Sequence, residues 1–119
     1  MKWIVKSRKY NCQGCYSFYL VSQDDHRKIS TIINLHKAGK TAIIEQLYRT
    51  KNGEKRDFIA YHEDFFNLLR SMGFNRIIAE MIPETAQALK KHSSADMNLL
   101  DTEFDPEVGL ELTNIEIIL

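Results

Sequence analysis

Arg49, Lys51, Lys55 and Arg56 place four cations around Asn52-Gly53, a dipeptide that turns the chain. A helical apolar stripe starts just after them, so the cluster sits at a strand-to-helix junction. Unpaired amide N–H groups and the positive end of the helix dipole gather at such a junction, and added cations make it a place to hold phosphates. A solvated surface loop has the same composition. A nucleic-acid contact would too, since Lys and Arg provide its salt-dependent affinity. The formal net charge of zero argues against a dedicated nucleic-acid binder.

Cys12-Gln13-Gly14-Cys15 has half of a zinc-site spacing. A tetrahedral site needs a second ligand pair, and His26, His36, His62 and His92 are scattered. No metal site is expected. A redox role would call for the pair to precede a helix in a βαβ unit, which it does not. Two thiols flanking a turn is the plainer reading. His62-Glu63-Asp64 lies in a helical stretch, with Glu63 and Asp64 toward solvent. His62 falls on the apolar stripe, where a histidine is more often a satisfied core residue than a base.

The elements that must position these groups follow from periodicity. Residues 2–6, 16–22, 29–35 and 41–48 are β-branched and aromatic, and QDDHRK and KAGK turn the chain between the last three. They read as a short strand followed by an antiparallel meander. From Asp57, a plausible N-cap, the period changes. Phe58, His62, Phe65, Leu69 and Met72 fall on one helical face, and Gly73 stops the helix. Residues 75–82 read as a buried strand. Pro83 opens a second helix to about His92, and strands follow near 98–104 and 110–119. The order is β-β-β-β-α-β-α-β-β. The fold class is α+β, a mixed, mostly antiparallel sheet with a central βαβ unit and helices packed on it.

The chain has 119 residues, 44% hydrophobic and 27% charged, which fits one domain over 1–119 with a real core. No apolar run approaches the ~18 residues of a membrane span. Trp3, Ile4 and Val5 are too short a cluster for the apolar part of a secretion signal. A cytoplasmic protein without a membrane partner is expected. Charge is uneven. Residues 1–56 carry twelve Lys and Arg against four Asp and Glu, a net +8, whereas residues 96–119 carry seven acids and no base. The two ends either form opposed faces or neutralise each other.

Met72-Gly73-Phe74-Asn75-Arg76-Ile77-Ile78-Ala79-Glu80-Met81, followed by Pro83-Glu84-Thr85-Ala86-Gln87-Ala88-Leu89, resembles the GNAT (Gcn5-related) N-acetyltransferase superfamily. There a helix ends at a Gly, a strand follows, and a second helix follows a short loop. The resemblance runs from about residue 16 to 119 and is that of a shortened, phage-type member, since residues 7–15 leave no room for the family's first helical pair.

The resemblance implies an N-acyltransferase using acetyl-CoA. Its pantetheine arm would pair with residues 43–47, including Ile43, Ile44 and Leu47. Its pyrophosphate would meet Lys51, Gly53, Lys55 and Arg56. Glu45, on the strand that faces the family's acceptor groove, would be the general base toward a small-molecule or protein amine. The family's phosphate loop maps onto residues 53–58, where Arg56 and Phe58 stand in place of two glycines. That departure implies the alternative, a catalytically silent GNAT-like interaction or assembly protein of the viral kind, acting through a protein partner.

Overall fold

Alternation of apolar and polar side chains drives most of this chain into strands, and a shift to helical spacing inserts the helices between them. The computed structural model describes residues 3–9, 15–22, 29–44 and 54–119. Strands β1 (Trp3–Lys9), β2 (Cys15–Ser22), β3 (Ile29–Ala38) and β4 (Thr41–Ile44) precede helix α1 (Glu54–Ser71). Strand β5 (Arg76–Met81), helix α2 (Pro83–His92) and strands β6 (Asp96–Asp105) and β7 (Leu110–Ile118) follow. This is the element order expected from the sequence.

The strands form one seven-stranded sheet in the order β1-β2-β3-β4-β5-β7-β6. Every neighbouring pair is antiparallel except β4–β5, which is parallel and aligns Thr41 with Arg76 and Ile44 with Ala79. The meander is tight at Gly39, whose φ of 63° suits the first central position of the two-residue hairpin turn joining Ala38 to Thr41.

Both helices pack on one face of the sheet. Phe18, Ile33, Leu35, Ala42, Ile44, Ile77, Ala79, Met81, Ile115 and Ile117 line that face and are buried against Tyr61, Phe65, Phe66 and Leu69 of α1 and Ala86 and Leu89 of α2. Their spacing by two in each strand and by three or four in each helix puts them in one core. The opposite face carries Thr41 and Ile43, then Arg76, Ile78 and Glu80, then Leu112, Asn114 and Glu116. No helix among the described residues covers it.

One difference from the sequence reading bears directly on the site. Helix α1 starts at Glu54, not after an N-cap at Asp57. No breaker separates Glu54 from Asp57, and Glu, Lys and Arg are good helix formers, with the acid placed favourably at the helix start. Lys55 and Arg56 therefore belong to the helix, not to the loop before it. Strand β4 is described to Ile44 only, and the rest of the expected strand, 45–48, lies outside the described residues. The other end of α1 is as expected. Gly73, at φ 94°, lets Phe74 N–H reach the Leu69 carbonyl (3.1 Å) and its own N–H reach Arg70 (3.0 Å). These paired bonds close the helix.

Candidate functional site

Ligands of open α/β sheets gather at the carboxyl ends of parallel strands, and here only β4 and β5 among the described strands are parallel. Their carboxyl ends are Ile44 and Met81. Both helices start at that end. Asn75 N–H donates to the Lys40 carbonyl (2.9 Å), which ties the chain leaving α1 to the start of β4. The 18-residue helix, at about 1.5 Å per residue, therefore begins near the other end of the pair. Helix α2 begins directly after β5. Its N-cap, Ile82, supplies no side-chain cap, and Pro83 has no N–H. First-turn amide groups have no partner inside a helix. In the same turn the Thr85 hydroxyl is buried, 2% exposed, without a hydrogen-bond partner. Two helix starts thus aim positive dipole ends at one edge of the sheet.

The residues singled out from the sequence distribute as follows. Ile44 is buried on the helix face opposite Ala79, and Ile43 is half-buried on the open face opposite Ile78. Lys55 and Arg56 lie in the first turn of α1. Glu45, Leu47, Arg49, Lys51 and Gly53 lie outside the described residues. His62 is a satisfied core residue. It is 4% exposed, donates from Nδ1 to the Ile59 carbonyl (2.7 Å), holds Nε2 3.1 Å from Glu63 Oε1 and meets Phe66 edge-on.

Cys15 corrects an expectation. It is in a disulfide, not the free thiol expected from the sequence. That reading rested on a general redox default, which says nothing of local geometry. Its sulfur lies 3.3 Å from His36 Nδ1, its cross-strand partner. No group of three metal-ligating side chains forms among the described residues.

A second feature, missed in the sequence, lies at the same end of the sheet on the open face. A cavity of about 160 Å³ is lined by Glu80 of β5, Leu112 and Asn114 of β7, Glu103, Phe104 and Asp105 of β6, and Pro106 of the turn. The ladder explains the convergence, because Glu80 pairs with Asn114 and Glu103 with Leu112. A bulge between Leu99 and Thr102 sets Asp101 beside Asn114, whose Nδ2 donates to it at 3.4 Å. The hydrogen bond to Asp101 and that carboxylate's charge push the Glu103 carboxyl up, and Glu80 adds to the effect. Asp101 is held down, first by its own backbone N–H and then by Glu103 and Asn114. The seven acids of residues 96–119 carried the signal for this cavity.

No protein-family model matches the chain, and no curated protein matches it in sequence. Solved structures do. A spermidine N-acetyltransferase chimera from Vibrio cholerae superposes with a TM-score of 0.66 at 8% identity, covering 91% of this chain and 71% of that one. The ribosomal-protein alanine N-acetyltransferase of Escherichia coli gives 0.61 at 13% identity, covering 91% and 70%.

The chain has the GNAT acetyltransferase fold.

A Bacillus subtilis acetyltransferase, solved in complex with CoA, matches along 99% of both chains with a TM-score of 0.58 and 9% identity. At these identities the GNAT likeness is one of fold. The helices of this GNAT fold include none long and apolar enough to cross a membrane, among the described residues.

Proposed function

We propose that the chain is a GNAT-type N-acyltransferase that carries an acetyl group from acetyl-CoA to an amine. One observation carries this reading. The parallel β4–β5 pair ends where α1 and α2 both start, with Lys55 and Arg56 in the first turn of α1. That turn offers free amide groups and two cations to a pyrophosphate, and Lys51 and Gly53 precede it in sequence. The pantetheine arm would follow the strand of Ile43, Ile44 and Leu47. Ile43 and Ile44 already face β5, so the open stretch of that strand would begin after them. In the transfer the amine nitrogen bonds to the acetyl carbon, the carbon–sulfur bond breaks and the thiolate leaves. The proton lost by the amine would go to Glu45. The CoA complex of a fold neighbour supports the choice of donor.

A second reading has its own support. Arg56 and Phe58 stand where the family places glycines, and both are helical. Bulk there favours a silent module that works by contact with a protein partner. Thermal melting with millimolar acetyl-CoA separates the two readings, because a ligand that binds only the native state raises its melting temperature. A rise that follows ligand concentration is the expected result. No shift at that concentration would remove the transferase reading and leave the contact module.

A further inference from the structure

The two edges of the sheet carry opposite charge. Strand β1 ends the sheet on one side and β6 on the other, and no strand among the described residues lies beyond either. The sequence of β1 holds Lys6, Arg8 and Lys9 and no acid, whereas that of β6 holds Asp96, Asp101, Glu103 and Asp105 and no base. An edge strand keeps a row of unpaired backbone N–H and C=O groups that can template another strand. On β6 the edge is also partly apolar, with Leu100 54% and Phe104 63% exposed.

Charge decides which strand each edge can take. A second β6 laid antiparallel on the first about Phe104 would set Glu103 against Asp105, acid on acid. A second β1 laid on β1 about Ser7 would set Lys6 against Arg8, base on base. Like charges directly opposite destabilise a strand pair, and opposite charges stabilise it. Each edge rejects its own copy and matches the other edge.

Strand direction permits that match. Five of the six neighbouring pairs in the sheet are antiparallel and one is parallel. An odd number of reversals leaves β6 running opposite to β1. A second copy set beside the first in the same orientation therefore lays its β1 antiparallel to β6 and keeps the helices of both on one side. The bulge between Leu99 and Thr102 interrupts β6, so the regular ladder open to a partner is that of residues 102–105.

The faces agree as well. Glu103 pairs with Leu112 and Asp105 with Leu110 on the open face, while Phe104 pairs with Glu111 on the helix face. Lys6 and Arg8 pair with Tyr19 and Ser17, which flank the helix-face residue Phe18, the partner of Ser7. With Phe104 of one copy opposite Ser7 of the next, Glu103 meets Arg8 and Asp105 meets Lys6, at open-face positions throughout. Phe104 then lies opposite exposed Ser7 with half-buried Val5 on the diagonal, a distance that an aromatic ring spans.

We propose that the chain assembles head to tail with itself, residues 102–105 of β6 in one copy pairing with β1 of the next. The contact is heterologous, so the array grows until the twist of the sheet closes it into a ring or winds it into a filament. It needs no acetyl-CoA and is independent of the transferase reading.

Sedimentation velocity of the full chain, over a concentration series at low and high salt, tests it. At low salt the mean mass should climb past that of a dimer as concentration rises, and high salt should reverse the climb. Two variants each reverse one edge, Glu103→Lys with Asp105→Lys and Lys6→Glu with Arg8→Glu. Each should melt close to wild type and lose at least about tenfold in self-affinity. A chain carrying all four reversals has a basic β6, an acidic β1 and the wild-type net charge, and should associate again. Should one variant melt low, loss of association in the other still decides for the edges. A wild type that stays monomeric at millimolar concentration and low salt overturns the proposal and leaves the charges as guards against pairing. A mass that stops at the dimer and survives Lys6→Glu with Arg8→Glu means a symmetric β6 contact and overturns the head-to-tail arrangement. Association that neither variant weakens places the contact on another surface and overturns the site, and a well-folded fourfold variant that stays monomeric overturns the register.

Discussion

Phe18 of β2 and Phe65 of α1 meet edge to face, with ring centroids 5.2 Å apart and planes 82° apart. The contact joins a strand near one edge of the sheet to the helix whose N-terminal turn belongs to the candidate site. Both rings are buried, at 1% and 0% exposure, and the Phe66 ring centroid lies 6.2 Å from that of Phe65. Aromatic pairs in this geometry add to the stabilisation from burial alone.

Phe65→Ala should therefore destabilise the protein by about 3–5 kcal/mol, the usual range for truncating a buried aromatic. Chemical denaturation measures it as a lowered midpoint at unchanged slope. A midpoint equal to that of wild type would mean that the α1 stripe does not build the core.

The α1 stripe shows what the sequence made legible. Phe65, Leu69 and Met72 recur at helical spacing, Gly73 ends the run, and the aromatic and β-branched runs of β2 and β3 bracket turn residues. Each local signal agrees with the final packing. The start of α1 was not legible, because Glu54, Lys55 and Arg56 are compatible with either a loop or a helix and Asp57 offers a credible cap. The cavity was harder still. Glu80 and Asn114 are distant in sequence and meet only through the β5–β7 register, and Asp101 joins Glu103 only because of a bulge in β6. Periodicity sorts residues onto faces of one element but does not supply register between elements.

Gly73→Ala isolates a backbone requirement. A Cβ at this position would meet nothing within 4 Å, and φ is 94°, so any loss comes from the conformation and not from a clash. A left-handed backbone disfavours L side chains by about 1–2 kcal/mol, and thermal unfolding should show a loss of that size. A variant as stable as wild type would mean that the helix end relaxes to another closure.

Glu63 links α1 to the segment after α2. Its Oε1 accepts from Ser94 N–H at 3.2 Å and from the Ser94 hydroxyl at 3.1 Å, and lies 3.1 Å from His62 Nε2. The Ser94 N–H is the main cause that holds the carboxyl below its ordinary value of 4.5, and the Ser94 hydroxyl and His62 add to it. A depressed folded-state value means stability that is present above the unfolded value and lost as pH falls through the folded one. Glu63→Gln should therefore lose stability at pH 7, with the gap to wild type closing below about pH 4.5. The side chain is 43% exposed, so water screens the interaction and the gap should not exceed about 1 kcal/mol. Denaturation midpoints across the acid range measure it, and a gap that widens toward low pH would contradict the assignment.

Lys55 and Arg56 give the sharpest test of the proposed donor site. They stand in the first turn of α1, where the dipole already favours negative charge. Lys55→Glu with Arg56→Glu replaces two cations by two anions at that turn. The helix itself should not weaken, since acids suit a helix start, so melting without ligand should stay close to wild type. A pyrophosphate held there would lose two charge-assisted contacts and meet two like charges. Acetyl-CoA affinity should fall by more than about tenfold, given the strength of charge-assisted hydrogen bonds. Raising the salt to about 0.5 M should weaken wild type and narrow the difference, because the Debye length then shrinks to a few ångströms. Titrations of both proteins at low and high salt read all of these quantities. Equal affinity at low salt would place the phosphates elsewhere, whereas a variant that melts much lower without ligand would show that these two side chains serve the fold.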